Sequence, residues 1–198
     1  MVFHPPAPRC VTRDMARKII EALPPFVTPV GLFVDAAVAE IRELVESLGL
    51  RHVQLHGHEP AETVAALADR IILKAVRVAP ESLPGELSRW KQAIGEKKLN
   101  NLRGLLLETA GKGVGGTGIE NDWAMIVALQ KNGSFDGLPP IIAAGGLRPE
   151  NVGGVIRQLR PWAADVSSGV ESSPGRKSHE KIEAFVNEVR EADRITAA

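Results

Sequence analysis

The stretch from Pro139 to Gly175, PPIIAAGGLRPENVGGVIRQLRPWAADVSSGVESSPG, leaves few folds open. Pro139 to Ala144 is a short apolar run with no polar alternation, the pattern of a strand buried on both faces of a parallel sheet. Gly145 and Gly146 end it. Pro149 falls near the start of a helix, where a missing N–H costs nothing, and Pro161 closes that helix. Ala163 to Val166 predicts the next strand, followed by Ser167-Ser168-Gly169. Two successive strand-to-helix turns thus offer glycines, backbone N–H groups and hydroxyls with no bulky side chain in the way. Backbone cradles a phosphate monoester by these means. Gly145, Gly146, Ser168 and Gly169 are the candidate phosphate-binding residues. In (β/α)8 barrels a short extra helix often completes such a site, and Val170 to Gly175 is predicted to hold one.

The same alternation runs through the rest of the chain. Thr12 is a good N-cap for a helix through Leu23, with Ala16, Ile19, Ile20 and Leu23 on one face. Val30 to Val34 predicts a strand and Ala36 to Leu48 a helix, stopped by Gly49. His52 to His56 is a strand whose period of two puts His52, Gln54 and His56 on one side. Pro60 to Ala68 is predicted helical, Ile71 to Val78 extended, Ser82 to Lys98 helical and Gly104 to Leu107 extended. A glycine-rich loop, GKGVGGTG, covers Gly111 to Gly118. It lacks the Lys-Ser/Thr ending of a nucleotide-binding loop and reads instead as a mobile segment over a site. Helices are predicted from Asp122 to Lys131 and from Ser178 to Ala192, the latter burying Ile182, Phe185, Val186 and Val189. Trp90, Trp123 and Trp162 are read as packing residues. Short connections between alternating strands and helices favour a parallel sheet with helical crossovers.

Composition narrows the function classes. Lysine plus arginine equals aspartate plus glutamate, giving a formal net charge of zero. No global field therefore favours nucleic acid or an anionic membrane. No apolar run reaches membrane-spanning length. The single cysteine excludes an internal disulfide and suits a reducing cytoplasm. At 198 residues the chain is expected to form one domain over 1–198. It lies just below the roughly 200 residues at which complete (β/α)8 barrels begin.

AAGGLRPENV followed by DVSSGVESSPG resembles the end of the phosphoribosylanthranilate isomerases, (β/α)8 barrels of tryptophan biosynthesis. VFHPPAPRCV, PVGLFVD, HVQLHG and LLLETAGKGVGGTGIENDW resemble earlier segments of the same family, so the likeness covers essentially the whole chain. Family members normally begin about one βα unit earlier, with a strand resembling Lys-Ile-Cys-Gly. The resemblance therefore predicts a (β/α)8 barrel lacking its first strand, first helix and most of its second strand, with Met1 an internal methionine.

The resemblance implies an Amadori rearrangement of N-(5'-phosphoribosyl)anthranilate, with no metal or organic cofactor. A general acid opens the furanose ring and a general base removes the C2' proton. The family carries the acid as aspartate in a Leu-Leu-Asp-Thr pattern; the matching residue here is Glu108, whose extra methylene moves the proton donor by more than an ångström. The other reading of Glu108 is a solvated or salt-bridged carboxylate at a strand end. The family's base is the cysteine of the first strand. Cys10 matches no catalytic position and is expected to be an inert, half-buried thiol. Arg9 resembles the arginine that grips the anthranilate carboxylate, a task for a planar fork of donors; the alternative is a surface arginine after a Pro-rich loop. Gln54 and His56 match residues lining the site. His56 with His58 suggests a metal pair only superficially, since no carboxylate or cysteine completes a set. Asp165 resembles a site-lining aspartate, with a structural hydrogen-bonding role as the alternative. The implied partner is a small phosphorylated substrate, and the family occurs as monomers and homodimers. A second class of function remains open: a barrel remnant that binds a sugar phosphate or a partner chain without catalysis.

Overall fold

The computed structural model of the chain describes residues 1–109 and 122–197, so the loop from Gly111 to Gly118 lies outside the described residues. Six strands form a parallel sheet: β1 (Val30–Phe33), β2 (His52–Leu55), β3 (Ile71–Val78), β4 (Leu102–Thr109), β5 (Ile141–Ala143) and β6 (Ala163–Ala164). Their order in the sheet is their order in the sequence. Helix α1 (Arg13–Ala22) precedes β1. Helices α2 (Val38–Ser47), α3 (Ala61–Ala66), α4 (Leu83–Lys97), α5 (Trp123–Lys131) and α6 (Pro149–Leu159) follow the first five strands in turn. The predicted α/β alternation is thus the observed one. No helix among the described residues is long and apolar enough to cross a membrane. The chain divides into two compact units, Met1–Ala75 with Gln92–Gly104, and Val76–Lys91 with Leu105–Ala198. Strands β3 and β4 run through both.

In the first unit the N-terminal residues extend the sheet. Leu32 N donates to Met1 O and Phe3 N to Leu32 O, both at 2.8 Å, and the Phe3 ring stacks on Phe33. Thr12 caps α1 as its side chain predicts, accepting from Met15 N at 3.2 Å. Register sorts the side chains of β1, β2 and β3. Phe33, Leu55 and Lys74 share one rung, as do Leu32, Gln54 and Leu73. Rung partners in a parallel sheet point to the same side, and successive rungs alternate. The side carrying Phe33, Leu55, Val53 and Ile72 is buried. His52 and Gln54 fall on the other side and are half-buried.

In the second unit the core strand is buried on both faces: Leu105, Leu106 and Leu107 are all solvent-free, as a central parallel strand requires. After β6 the chain departs from expectation. The predicted helix within Val170 to Gly175 is instead a single 3-10 turn at Ser168–Val170 followed by an antiparallel hairpin, β7 (Glu171–Ser173) with β8 (Arg176–Lys177). Pro174-Gly175 sits between the strands, and Gly175 takes φ +80°, a turn geometry that a helix cannot absorb. The closing helix α7 (His179–Ala197) packs on α6.

Several residues assigned to the interior from periodicity are at the surface. Ile19 of α1 and Ile182 and Val186 of α7 are exposed, as is Trp162. α7 buries Phe185 and Ala192, so only a narrow stripe of a long helix is covered. Cys10, expected half-buried, is exposed.

Truncating Leu105 to Ala removes a fully buried side chain from the central strand and is expected to cost about 2–5 kcal/mol. Thr12→Ala, which deletes only a cap, is expected to cost about 1 kcal/mol. Urea denaturation of the two variants checks the ranking.

Candidate active site

At the C-terminal ends of β1 and β2 the first unit gathers polar groups around one turn. Gln54 Nε2 lies 2.8 Å from His56 Nδ1, both side chains half-buried on the same side of the strand. With that amide as donor, Nδ1 accepts and the neutral imidazole carries its proton on Nε2. His56 N donates to Phe33 O at 2.9 Å, which fixes the backbone of the histidine. Arg9, half-buried, lies in the turn that precedes α1. His58 contacts Asp35, its ring Nδ1 3.5 Å from Asp35 Oδ2.

Beneath this turn lies a pair that sequence reasoning missed. Glu59 and Lys74 are both buried, with Lys74 Nζ 3.0 Å from Glu59 Oε2. The ammonium also donates to Gly57 O at 2.8 Å, Ala75 O at 2.9 Å and Leu55 O at 3.3 Å. Glu59 in turn accepts from Asp35 N at 2.9 Å and from Gly57 N at 2.9 and 3.0 Å. Asp35 holds φ +51°, an αL geometry that Asp tolerates better than most residues. Gly57 packs so closely on Asp35 that an added Cβ would lie 2.7 Å from Asp35 N. The one available signal was a lysine inside the apolar run Ile71 to Val78 with a glutamate just past HVQLHGH.

Burial pushes the Asp35 carboxyl up, but the backbone N–H and ring of His58, with the charge of Lys74, outweigh it. Asp35 is held below the usual carboxylate range. Burial, assisted by Arg51, holds His52 below the ordinary imidazole value.

In the second unit the rungs Leu107–Ala143 and Ala143–Ala164 are continued by Ala144 N donating to Leu107 O and Asp165 N donating to Ala143 O. One residue further along lie Glu108, Ala144 and Asp165, side by side across three strands. At the usual strand spacing the backbones of Glu108 and Asp165 are about 10 Å apart. Glu108 is half-buried and Asp165 exposed.

The next residues form the glycine turns. Gly145 and Gly146 take φ +86° and +65°, a region that L side chains rarely enter. Asn151 holds the turn to α6: its Oδ1 accepts from Arg148 N at 2.8 Å and its Nδ2 donates to Gly146 O at 3.0 Å. Gly169 lies directly on this turn; an added Cβ would sit 2.9 Å from the Leu147 carbonyl carbon and 3.1 Å from Arg148 Cα. The two turns therefore meet backbone to backbone. Lys177 of the hairpin ties in the second, donating to Ser167 O at 2.7 Å and to the buried Glu171 carboxylate at 3.1 Å. Two meeting glycine turns at the start of an 11-residue helix, with a carboxylate one strand away, suit a phosphorylated ligand that undergoes proton transfer.

A sequence model of the family N-(5'-phosphoribosyl)anthranilate (PRA) isomerase matches residues 1–188. This chain belongs to that family. It is 44% identical to the N-(5'-phosphoribosyl)anthranilate isomerase of Pseudomonas fluorescens over 192 residues, 96% of this chain and 85% of that protein. It is similar to the crystal structure of phosphoribosyl anthranilate isomerase from Thermotoga maritima, with TM-score 0.79 and 35% identity, covering 96% of this chain and 86% of the other. A phosphoribosyl anthranilate isomerase solved with reduced 1-(o-carboxyphenylamino)-1-deoxyribulose 5-phosphate matches with TM-score 0.76 and 33% identity, covering 96% of this chain and 86% of the other. The family is one of enzymes, isomerases of tryptophan biosynthesis.

Two outcomes follow for stability. Lys74→Ala, by leaving Glu59 buried and unpaired, is expected to cost about 3–5 kcal/mol in urea denaturation. Asp35, depressed in the folded state, contributes stability above its unfolded pKa and loses it as pH falls through the folded value. Asp35→Asn is therefore expected to be less stable than wild type at pH 7 and to lose less stability on acidification to pH 3. Equal acid sensitivity of the two proteins would refute this.

Proposed function

We propose that this chain converts N-(5'-phosphoribosyl)anthranilate to 1-(2-carboxyphenylamino)-1-deoxyribulose 5-phosphate, using a substrate site at the C-terminal ends of its strands. The observation that carries the reading is that Glu108, Ala144 and Asp165 fall in one register, with the Gly145–Gly146 turn directly after it. The family match supports the same chemistry. It extends over both units, as expected of a single (β/α)8-type domain.

In this reading Gly145, Gly146, Ser168 and Gly169 hold the phosphate through backbone N–H groups and a hydroxyl. With the phosphate fixed, the ribose lies toward Glu108. Glu108 protonates the furanose ring oxygen, the C1'–O bond breaks, and the nitrogen lone pair forms the C=N bond of a Schiff base. Loss of the C2' proton then gives an enolamine, which tautomerises to the ketone. The family places the base for that step on the cysteine of its first strand; Cys10, exposed in its loop, is not assigned the role. Arg9 is assigned to the anthranilate carboxylate and Gln54 with His56 to the rest of the ligand. Asp165, half a site away from the acid, orients the sugar hydroxyls.

The direct test is turnover of phosphoribosylanthranilate by this protein. Glu108→Gln in the active form is expected to lower kcat at least about 100-fold; retained activity would remove Glu108 as the acid. Gly169→Ala is expected to raise KM, because its Cβ would displace the Leu147 turn. Binding of the substrate without turnover would favour the second reading, a barrel that holds a sugar phosphate without isomerising it.

A further inference from the structure

The mechanism above leaves unused the most buried charges of the first unit. We propose that the Glu59–Lys74 pair is a positioning pair for His56 and Gln54, holding their side of β2 in the geometry a ligand meets. The inference rests on the reading that Gln54 and His56 face the substrate. It adds two residues to the working parts of that site.

The geometry argues for a task beyond filling space. Lys74 shares its rung with Leu55, on the buried side of the sheet, whereas Gln54 and His56 fall on the other. The pair meets the His56 segment at its backbone. It holds that backbone at three points: Lys74 Nζ binds the carbonyls of Leu55 and Gly57, and Glu59 binds the N–H of Gly57. These groups flank His56 on both sides. Through Asp35 N, Glu59 also holds the end of β1, next to Phe33, whose carbonyl accepts from His56 N. The αL residue Asp35 and the close packing of Gly57 leave this turn one arrangement, provided the carboxylate stays in place.

Buried ion pairs seldom add stability over an apolar pair of equal volume, and their best-attested use is to specify one arrangement among several. A site residue misplaced by an ångström can lose about 100-fold in rate. The Glu59–Lys74 pair meets both descriptions, since the Leu55 and Gly57 carbonyls and the Gly57 N–H that it grips flank the histidine.

The test is the double variant Glu59→Leu/Lys74→Met, which keeps the volume and removes both charges. The 15N signals of the His56 ring report its tautomer and its bond to Gln54 without any ligand. Titration with reduced 1-(o-carboxyphenylamino)-1-deoxyribulose 5-phosphate reports the site. The expected result is a folded protein whose His56 signals shift toward mixed tautomers and whose affinity for that ligand falls about 10- to 100-fold. Shifted His56 signals in a chain whose wild type does not bind the ligand would uphold the positioning role and overturn the functional reading. Unchanged His56 signals in the folded double variant would overturn the inference, whatever the affinity. Should the double variant not fold, Glu59→Gln sets an amide N–H2 against the donors of Asp35 and Gly57. It is expected to shift the same signals with a smaller loss of affinity, and no shift would overturn the inference.

Discussion

Parallel pairing in register is the constraint on which the rest depends. Parallel strands all end in the same direction, so whatever follows them in sequence collects at one edge of the sheet. In the second unit the rungs Leu107–Ala143 and Ala143–Ala164 bring Glu108, Ala144 and Asp165 abreast. In the first the rung Phe33–Leu55–Lys74 does the same for Asp35, the His56–Glu59 turn and the lysine itself. Residues 57 positions apart in sequence, Glu108 and Asp165, thereby come to the same level of the sheet, two strands apart.

Close approach of backbones is the second theme. Gly57 against Asp35 and Gly169 against Leu147 are contacts that no residue with a Cβ would permit. Both occur where a strand has just ended and the chain must turn within a few residues. Around them the fold places charged groups that hold rather than react: Glu59 and Lys74 in one unit, Glu171 and Lys177 in the other.

Much of this was legible before any coordinates. Strict alternation of apolar runs with amphipathic segments predicted each strand of the sheet to within a few residues, because the periods of two and 3.6 differ too much to be confused over such lengths. The glycine turns were legible because only glycine takes φ above +60° freely. The failures have physical causes of their own. Ile19, Ile182 and Val186 fit an apolar helical stripe, but periodicity says nothing about whether a neighbour covers it. The helix expected within Val170 to Gly175 rests on how (β/α)8 phosphate sites are commonly completed, and the Pro174-Gly175 turn makes a hairpin there instead. Lys74 interrupts an apolar strand, and its partner lies fifteen residues upstream, beyond the reach of a local pattern.

By itself the sequence determined the α/β class, the order of the six sheet strands and the family. These follow from local periodicity and from side-chain chemistry. Only the tertiary structure decided which residues share a rung, that the two glycine turns touch, and that Glu59 and Lys74 close on each other out of water. Those relations are set by register and packing between segments distant in the chain, and a local pattern carries no information about the partner it will meet.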